Sequence, residues 1–148
     1  MQNRSCGNGP GAGFTLIELM VVIVILGILA TLIVPKIMDR PEQARRMKAK
    51  VQIASLQSAL ALFKTDTGRF PTTSEGLGAL VADPGARGWK TGGYLEGGKV
   101  PADPWGRPYC YICPGAHGDY DLKSYGRDGE EGGAGDAADI ENWNLDQE

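Results

Sequence analysis

Twenty-one consecutive residues, Phe14–Val34, form an apolar run that holds one charge, Glu18, and stops at Pro35-Lys36. A run that long reads as a membrane-spanning helix, since about 20 residues at 1.5 Å each cross the hydrocarbon of a bilayer. A carboxylate inside such a helix costs roughly 2.5–3.5 kcal/mol on insertion scales and is normally kept only with a partner. The residues ahead of it supply one. Met1–Gly13 is polar, with one basic residue, Arg4, and glycines at 7, 9, 11 and 13. A secretory signal peptide places its small-residue cleavage site after the apolar stretch; here the Gly-rich break comes before it. A cut between Gly13 and Phe14 would leave the apolar helix on the mature chain and create an α-ammonium at Phe14. In staggered helices that ammonium lies level with the Glu18 carboxylate of a neighbouring copy, where desolvated opposite charges attract strongly.

The hexad Gly13-Phe14-Thr15-Leu16-Ile17-Glu18 resembles the processing site of type IV pilins and pseudopilins. The resemblance implies that a prepilin peptidase cuts after Gly13 and N-methylates Phe14. It also implies that Phe14 and Glu18 carry subunit assembly. Residues 1–13 are then a cleaved leader, 14–34 a transmembrane and assembly helix, and 35–148 one periplasmic domain. Removing a leader that holds Arg4 and no acid takes the net charge from −3 to −4. No basic stripe marks a nucleic-acid footprint. Lys36, Arg40, Arg45, Arg46, Lys48 and Lys50 follow the span, and by the positive-inside rule they predict a cytoplasmic C-terminus. The resemblance implies the opposite side, the periplasm, with Arg4 keeping the N-terminus inside; we follow the resemblance.

Pro35 and Pro41 each remove a helix donor, so a kink or local melting is expected between about 31 and 41, with Asp39 as N-cap of a restarted helix and Glu42 three residues on. An amphipathic helix is predicted over 42–65. Met47, Val51, Ala54, Ala61 and Leu62 trace one stripe and Ile53, Leu56, Leu60 and Phe63 a neighbouring one, with Asp66-Thr67-Gly68 as the stop. Thr72 with Glu75 reads as a capping box opening a short helix through Val81. From Gly85 to Gly135 there are 14 glycines in 51 residues, which predicts loops joined by short strands. The best strands are Tyr109–Cys113 and Tyr120–Tyr125, joined through Pro114–Gly118, with a third around Asn142–Asn144.

Phe70-Pro71-Thr72-Thr73, Glu75-Gly76-Leu77, Asp103-Pro104-Trp105-Gly106, Pro114-Gly115-Ala116-His117-Gly118 and Asp139-Ile140-Glu141-Asn142-Trp143 occur in that order. Together they resemble the major pseudopilins of type II secretion systems. The resemblance implies an α+β, type IV pilin-like fold: a long N-terminal helix, anchor below and amphipathic above, packed on a small antiparallel sheet with a calcium-binding C-terminal loop. It implies a homopolymer, the periplasmic pseudopilus, that drives export of folded proteins across the outer membrane. The implied partners are minor pseudopilins, the inner-membrane platform and motor, prepilin peptidase, and inner-membrane lipid before assembly. Type IV major pilins share the leader and rod. A membrane-tethered binding or enzymatic domain is the alternative of another class.

No Lys or Arg follows Arg127, while Asp128, Glu130, Glu131, Asp136, Asp139, Glu141, Asp146 and Glu148 do. Carboxylates on a Gly-rich loop suit a hard cation that takes 6–8 oxygens, such as Ca²⁺, and the spacing is not that of an EF-hand. Ser124-Tyr125-Gly126-Arg127-Asp128-Gly129 with Asp139-Ile140 matches the family's calcium loop. The resemblance implies Asp128 and Asp139 as side-chain ligands, Asp136 as the third carboxylate, Ala138 standing where some members have an acid, and backbone oxygens near Tyr125 and Glu130. A solvated acidic tail is the plain alternative. Cys6 leaves with the leader. Cys110 and Cys113 are spaced C-x-x-C with His117 following; two half-buried thiols, a disulfide and a metal site are all open, although residues i and i+3 of a strand face opposite sides. Catalysis finds no support: the one His lies in a Gly-rich turn, and no base adjoins Ser124 in sequence.

Overall fold

A computed structural model of the chain describes residues 14–145, without the side chains of residues 30–40. The expected leader, 1–13, and the last three residues lie outside that range. The chain divides into two compact units that meet between Asp39 and Arg40.

Helix α1 runs Leu16–Thr67. The expected local melting between 31 and 41 is absent, because helical backbone continues through both prolines and Asp39 caps no new helix. Each proline forfeits one hydrogen bond, whereas ending and renucleating a helix forfeits several and pays for a new first turn. Within the first unit, every residue from Phe14 to Leu29 is exposed in the single chain. Among the described residues no helix is long and apolar enough to cross a membrane. The side chains needed to complete the run, Ala30–Val34, lie outside the description.

In the second unit α1 buries one stripe. Ala49, Ile53, Leu56, Ala59, Leu60 and Phe63 are buried, while Met47, Val51 and Leu62 are exposed. Of the two predicted stripes, then, only Ile53–Phe63 faces the core. The helix stops as expected: the Gly68 N–H bonds the Lys64 carbonyl at 2.8 Å with φ +79°, the left-handed cap that glycine permits. The Thr72–Glu75 capping box is present, with Thr72 N–H to Glu75 Oε2 at 2.7 Å and Glu75 N–H to Thr72 Oγ1 at 3.3 Å. It opens a 3₁₀ turn, Gly76–Leu80, whose Leu77, Ala79 and Leu80 enter the core.

Three short strands form one antiparallel sheet in the order β1 (Cys110–Ile112), β2 (Asp121–Ser124), β3 (Ile140–Glu141). The third strand lies just before its predicted place at Asn142–Asn144, because Ile140 has a core to enter and the residues after it turn away. Tyr111 pairs with Leu122, and Ser124 with Ile140; all four are buried, and Tyr111, Leu122 and Ile140 share a core with Phe63 and Leu80. The opposite face carries Cys110, Ile112, Asp121, Lys123 and Glu141, as strand alternation requires.

Candidate functional site

The acidic loop that follows β2 is held at both limbs by arginines. Arg107 donates to the carbonyls of Gly126 at 2.9 Å, Arg127 at 3.2 Å and Asp128 at 3.2 Å. Arg46, buried on α1, donates to the carbonyls of Ala138 at 2.7 Å and Asp136 at 3.5 Å. Arg46 therefore serves the loop rather than a juxtamembrane charge rule. Gly126 adopts φ +62°, and a Cβ there would lie 2.9 Å from the Ala138 oxygen, so the two limbs approach as only glycine allows.

Asp103, of Asp-Pro-Trp-Gly, is a buried carboxylate that secures the entry to this region. Its Oδ1 accepts the N–H groups of Trp105 (3.1 Å) and Arg107 (2.7 Å), and its Oδ2 accepts the Ser124 hydroxyl (2.7 Å). Trp105 Nε1 in turn donates to buried Glu42 Oε1 at 2.9 Å. The Ser124 hydroxyl thus donates to Asp103 and accepts the Gly126 N–H at 3.2 Å. The sequence reading missed Arg46, Glu42 and Arg107. Their signal was weak, since a charge on an amphipathic helix or in a loop reads as solvated until the segment that it reaches is known.

Of the expected calcium ligands, Asp139 stands apart. Its side chain is 6% exposed; Oδ2 accepts the Gly132 N–H at 3.1 Å and faces Lys123 Nζ at 3.8 Å, and Oδ1 is buried without a hydrogen-bond partner. Asp128 is exposed, and its Oδ1 accepts the Glu130 N–H at 3.2 Å. Asp136 is exposed in the 3₁₀ turn Gly135–Ala137. The Tyr125 carbonyl accepts the Gly129 N–H at 3.2 Å, and Glu130 is exposed. Among the described residues no three acid, His or Cys side chains are gathered as a metal would need; Asp128, Asp136 and Asp139 are neighbours in the loop without converging. Lys123 also meets Glu131 Oε1 at 2.6 Å. Partial burial lowers the Lys123 pKa, and the hydrogen bond and charge of Glu131 more than offset this, leaving it raised.

The turn between β1 and β2 is organised by Asp121. Its carboxylate accepts the N–H groups of Ala116 (3.0 Å) and His117 (3.1 Å) and meets His117 Nδ1 at 3.1 Å. Burial raises this carboxyl, but those bonds prevail and hold it below its ordinary range. The His117 ring stacks on Trp143 with centroids 3.9 Å apart. Cys110 and Cys113 are half-buried free thiols; Cys113 Sγ donates to the Asp119 carbonyl at 3.5 Å.

At the N-terminal end the Glu18 N–H bonds both the Thr15 carbonyl (3.1 Å) and the Thr15 hydroxyl (3.3 Å). Thr15-x-x-Glu18 is a capping pattern, and an acid in the first turn suits the positive end of a helix. This local role for Glu18 was also legible in the hexad and passed over. Gly13 lies outside the described residues; Phe14 is 83% exposed.

An exposed apolar helix start, an amphipathic continuation buried on one face and a three-stranded antiparallel sheet with a polar-latched loop define a pilin-like subunit. Residues 11–34 match the prokaryotic N-terminal methylation motif, and residues 36–143 match the family described as type II secretion system (T2SS), protein G. The type II secretion system core protein G of Pseudomonas aeruginosa is 51% identical over 136 residues, covering 89% of this chain and 94% of that one. Its counterpart in Vibrio cholerae is 47% identical, covering 90% and 92%. A crystal structure of the major pseudopilin from the type 2 secretion system of enterohaemorrhagic Escherichia coli superposes with a TM-score of 0.61 at 35% identity, covering 72% of this chain and 92% of that one. The chain belongs to the type II secretion system protein G family.

Proposed function

We infer that the protein is the major structural subunit of a type II secretion pseudopilus, polymerising through its N-terminal helix to drive export of folded proteins. The observation that carries this reading is the helix exposed on every side from Leu16 to Leu29, in a chain of the protein G family. Such a helix is stable only in lipid or among its own copies, and head-to-tail contacts between copies build an open fibre. The chain waits in the inner membrane with residues 35–148 in the periplasm and works as a structural rather than a catalytic subunit. Prepilin peptidase cuts between Gly13 and Phe14 and methylates Phe14; minor pseudopilins and the inner-membrane platform are its assembly partners. Intact mass from cells with and without the peptidase tests this: loss of residues 1–13 and gain of one methyl, only with the peptidase, is the expected result. An uncleaved chain overturns it.

Calcium is the ion this reading assigns to the acidic loop, with a structural role. Support comes from Asp139 Oδ1, a buried carboxylate oxygen with no donor, a group that costs free energy unless something binds it. Asp139 is the anchor, Asp128 and Asp136 the further carboxylates, and the Tyr125 and Glu130 carbonyls the neutral oxygens. A metal that binds only the folded loop stabilises it by mass action. Chelation should lower the melting temperature, and Asp139→Ala should abolish that difference; equal melting with and without chelator rejects the site.

A further inference from the structure

The Asp139 carboxylate already has a cation of the chain's own facing its other oxygen, Lys123. Lys123 projects from the middle of β2, opposite Cys110 on one side and Glu141 on the other, so its stem is fixed by paired strands. Its side chain is 12% exposed, and its ammonium lies 2.6 Å from Glu131 Oε1, 3.8 Å from Asp139 Oδ2 and 5.0 Å from the Tyr125 ring centroid. Glu131 is 78% exposed at its side chain, so that end of the pair opens readily to solvent; the Asp139 end is buried. Asp139 is tied to Gly132 twice, its N–H to the Gly132 carbonyl at 3.1 Å and its Oδ2 from the Gly132 N–H at 3.1 Å. The ammonium therefore sits against the knot that closes residues 132–139.

We propose that Lys123 is an internal counter-cation of the acidic loop, holding Asp139 and Glu131 in place without metal and opposing the binding of a divalent cation at Asp139. The inference rests on the calcium reading above. A divalent ion on Asp139 would stand within a few ångströms of the ammonium, and like charges that close repel in proportion to their product, most strongly where water is scarce. Lys123 must swing out toward Glu131 and solvent for the ion to enter. The loop then has two ordered forms, one closed by the ammonium and one by the metal, and the strength of calcium binding is set by the exchange between them. Asp128 and Asp136, exposed and apart, are the carboxylates free to fold in during that exchange.

The test is calcium titration calorimetry on the full chain in detergent micelles, with amide exchange of residues 132–139 followed in chelator. Lys123→Met keeps the stem and removes the charge. It should bind calcium about tenfold more tightly than the parent and lose protection at 132–139 in chelator, regaining it with calcium. Lys123→Arg should match the parent in both. Lys123→Gln is the second neutral variant should Lys123→Met fail to fold. Equal affinity of the parent and the neutral variants overturns the competition and leaves the calcium reading standing. If no form binds calcium, the calcium reading fails and the competition with it; unchanged exchange in the neutral variants then removes the counter-cation role as well.

Discussion

Between Phe14 and Leu29 every residue is exposed and the hydrogen bonding is that of a helix with itself. Between Asp103 and Leu145 the three strands hold only nine residues, and side chains reaching across the fold do much of the holding. The first region takes its shape from local sequence and leaves its surface for other molecules to cover. The second takes its shape from long-range polar contacts and from the core that Tyr111, Leu122 and Ile140 enter. The difference lies in where the cover is found: the first region presents its surface outward, and the second buries its own.

The sharpest way to break the comparison is at Glu18. Glu18→Leu should abolish fibre formation, scored by electron microscopy of overexpressing cells, while the melting temperature of the folded domain stays unchanged. A fibre-competent variant would return Glu18 to a helix-capping role. Within the domain, Phe63→Ala should cost about 3–5 kcal/mol because it empties the core, whereas Val51→Ala, 63% exposed, should fall within about 0.5 kcal/mol of the parent; denaturant unfolding reads both. A large cost at Val51 would show that the second stripe is covered within the single chain. Asp103→Ala comes next, at about 2–4 kcal/mol, since it strands the buried Ser124 hydroxyl and two backbone donors.

The smallest effect is electrostatic. The Arg69 guanidinium, with bonds of 2.6 and 2.7 Å, and the Thr72 N–H hold the Glu75 carboxyl down at about 2. A depressed carboxyl stabilises the fold above its ordinary pKa, and that contribution is lost as pH falls from about 5 toward 2. Glu75→Gln should cost about 1 kcal/mol at pH 7, little because Arg69 is exposed, and the cost should vanish near pH 2. A pH-independent difference would mean that shape rather than charge matters there.

Sequence pattern reached the parts of the fold that are periodic or turn-coded. Ile53, Leu56, Leu60 and Phe63 recur at helical spacing, Gly68 stops the helix, and Thr72 and Glu75 cap the next turn, each through neighbours a few residues away. Spacing alone does not say which of two adjacent stripes finds a cover, so Met47, Val51 and Leu62 read as well as the true core did. Local melting at the prolines is absent for a related reason: a proline's cost is local, but helix continuity depends on the turns to either side. Arg46 reaches a carbonyl 92 residues away, and no local rule carries that distance. In the loop the residue types pointed to Asp139, whereas its burial and the ammonium beside it depend on how β2 and β3 pair.

Glu42 and Arg46 stand one helical turn apart, at the start of the domain's share of α1, and grip Trp105 and the Ala138 carbonyl. Tension arriving along the chain from the N-terminal side meets these two before any residue of the Ile53–Phe63 stripe. They couple the helix to the Asp-Pro-Trp-Gly turn and the acidic loop rather than to the core. A pull on the helix would therefore be transmitted to that loop as well as to the core.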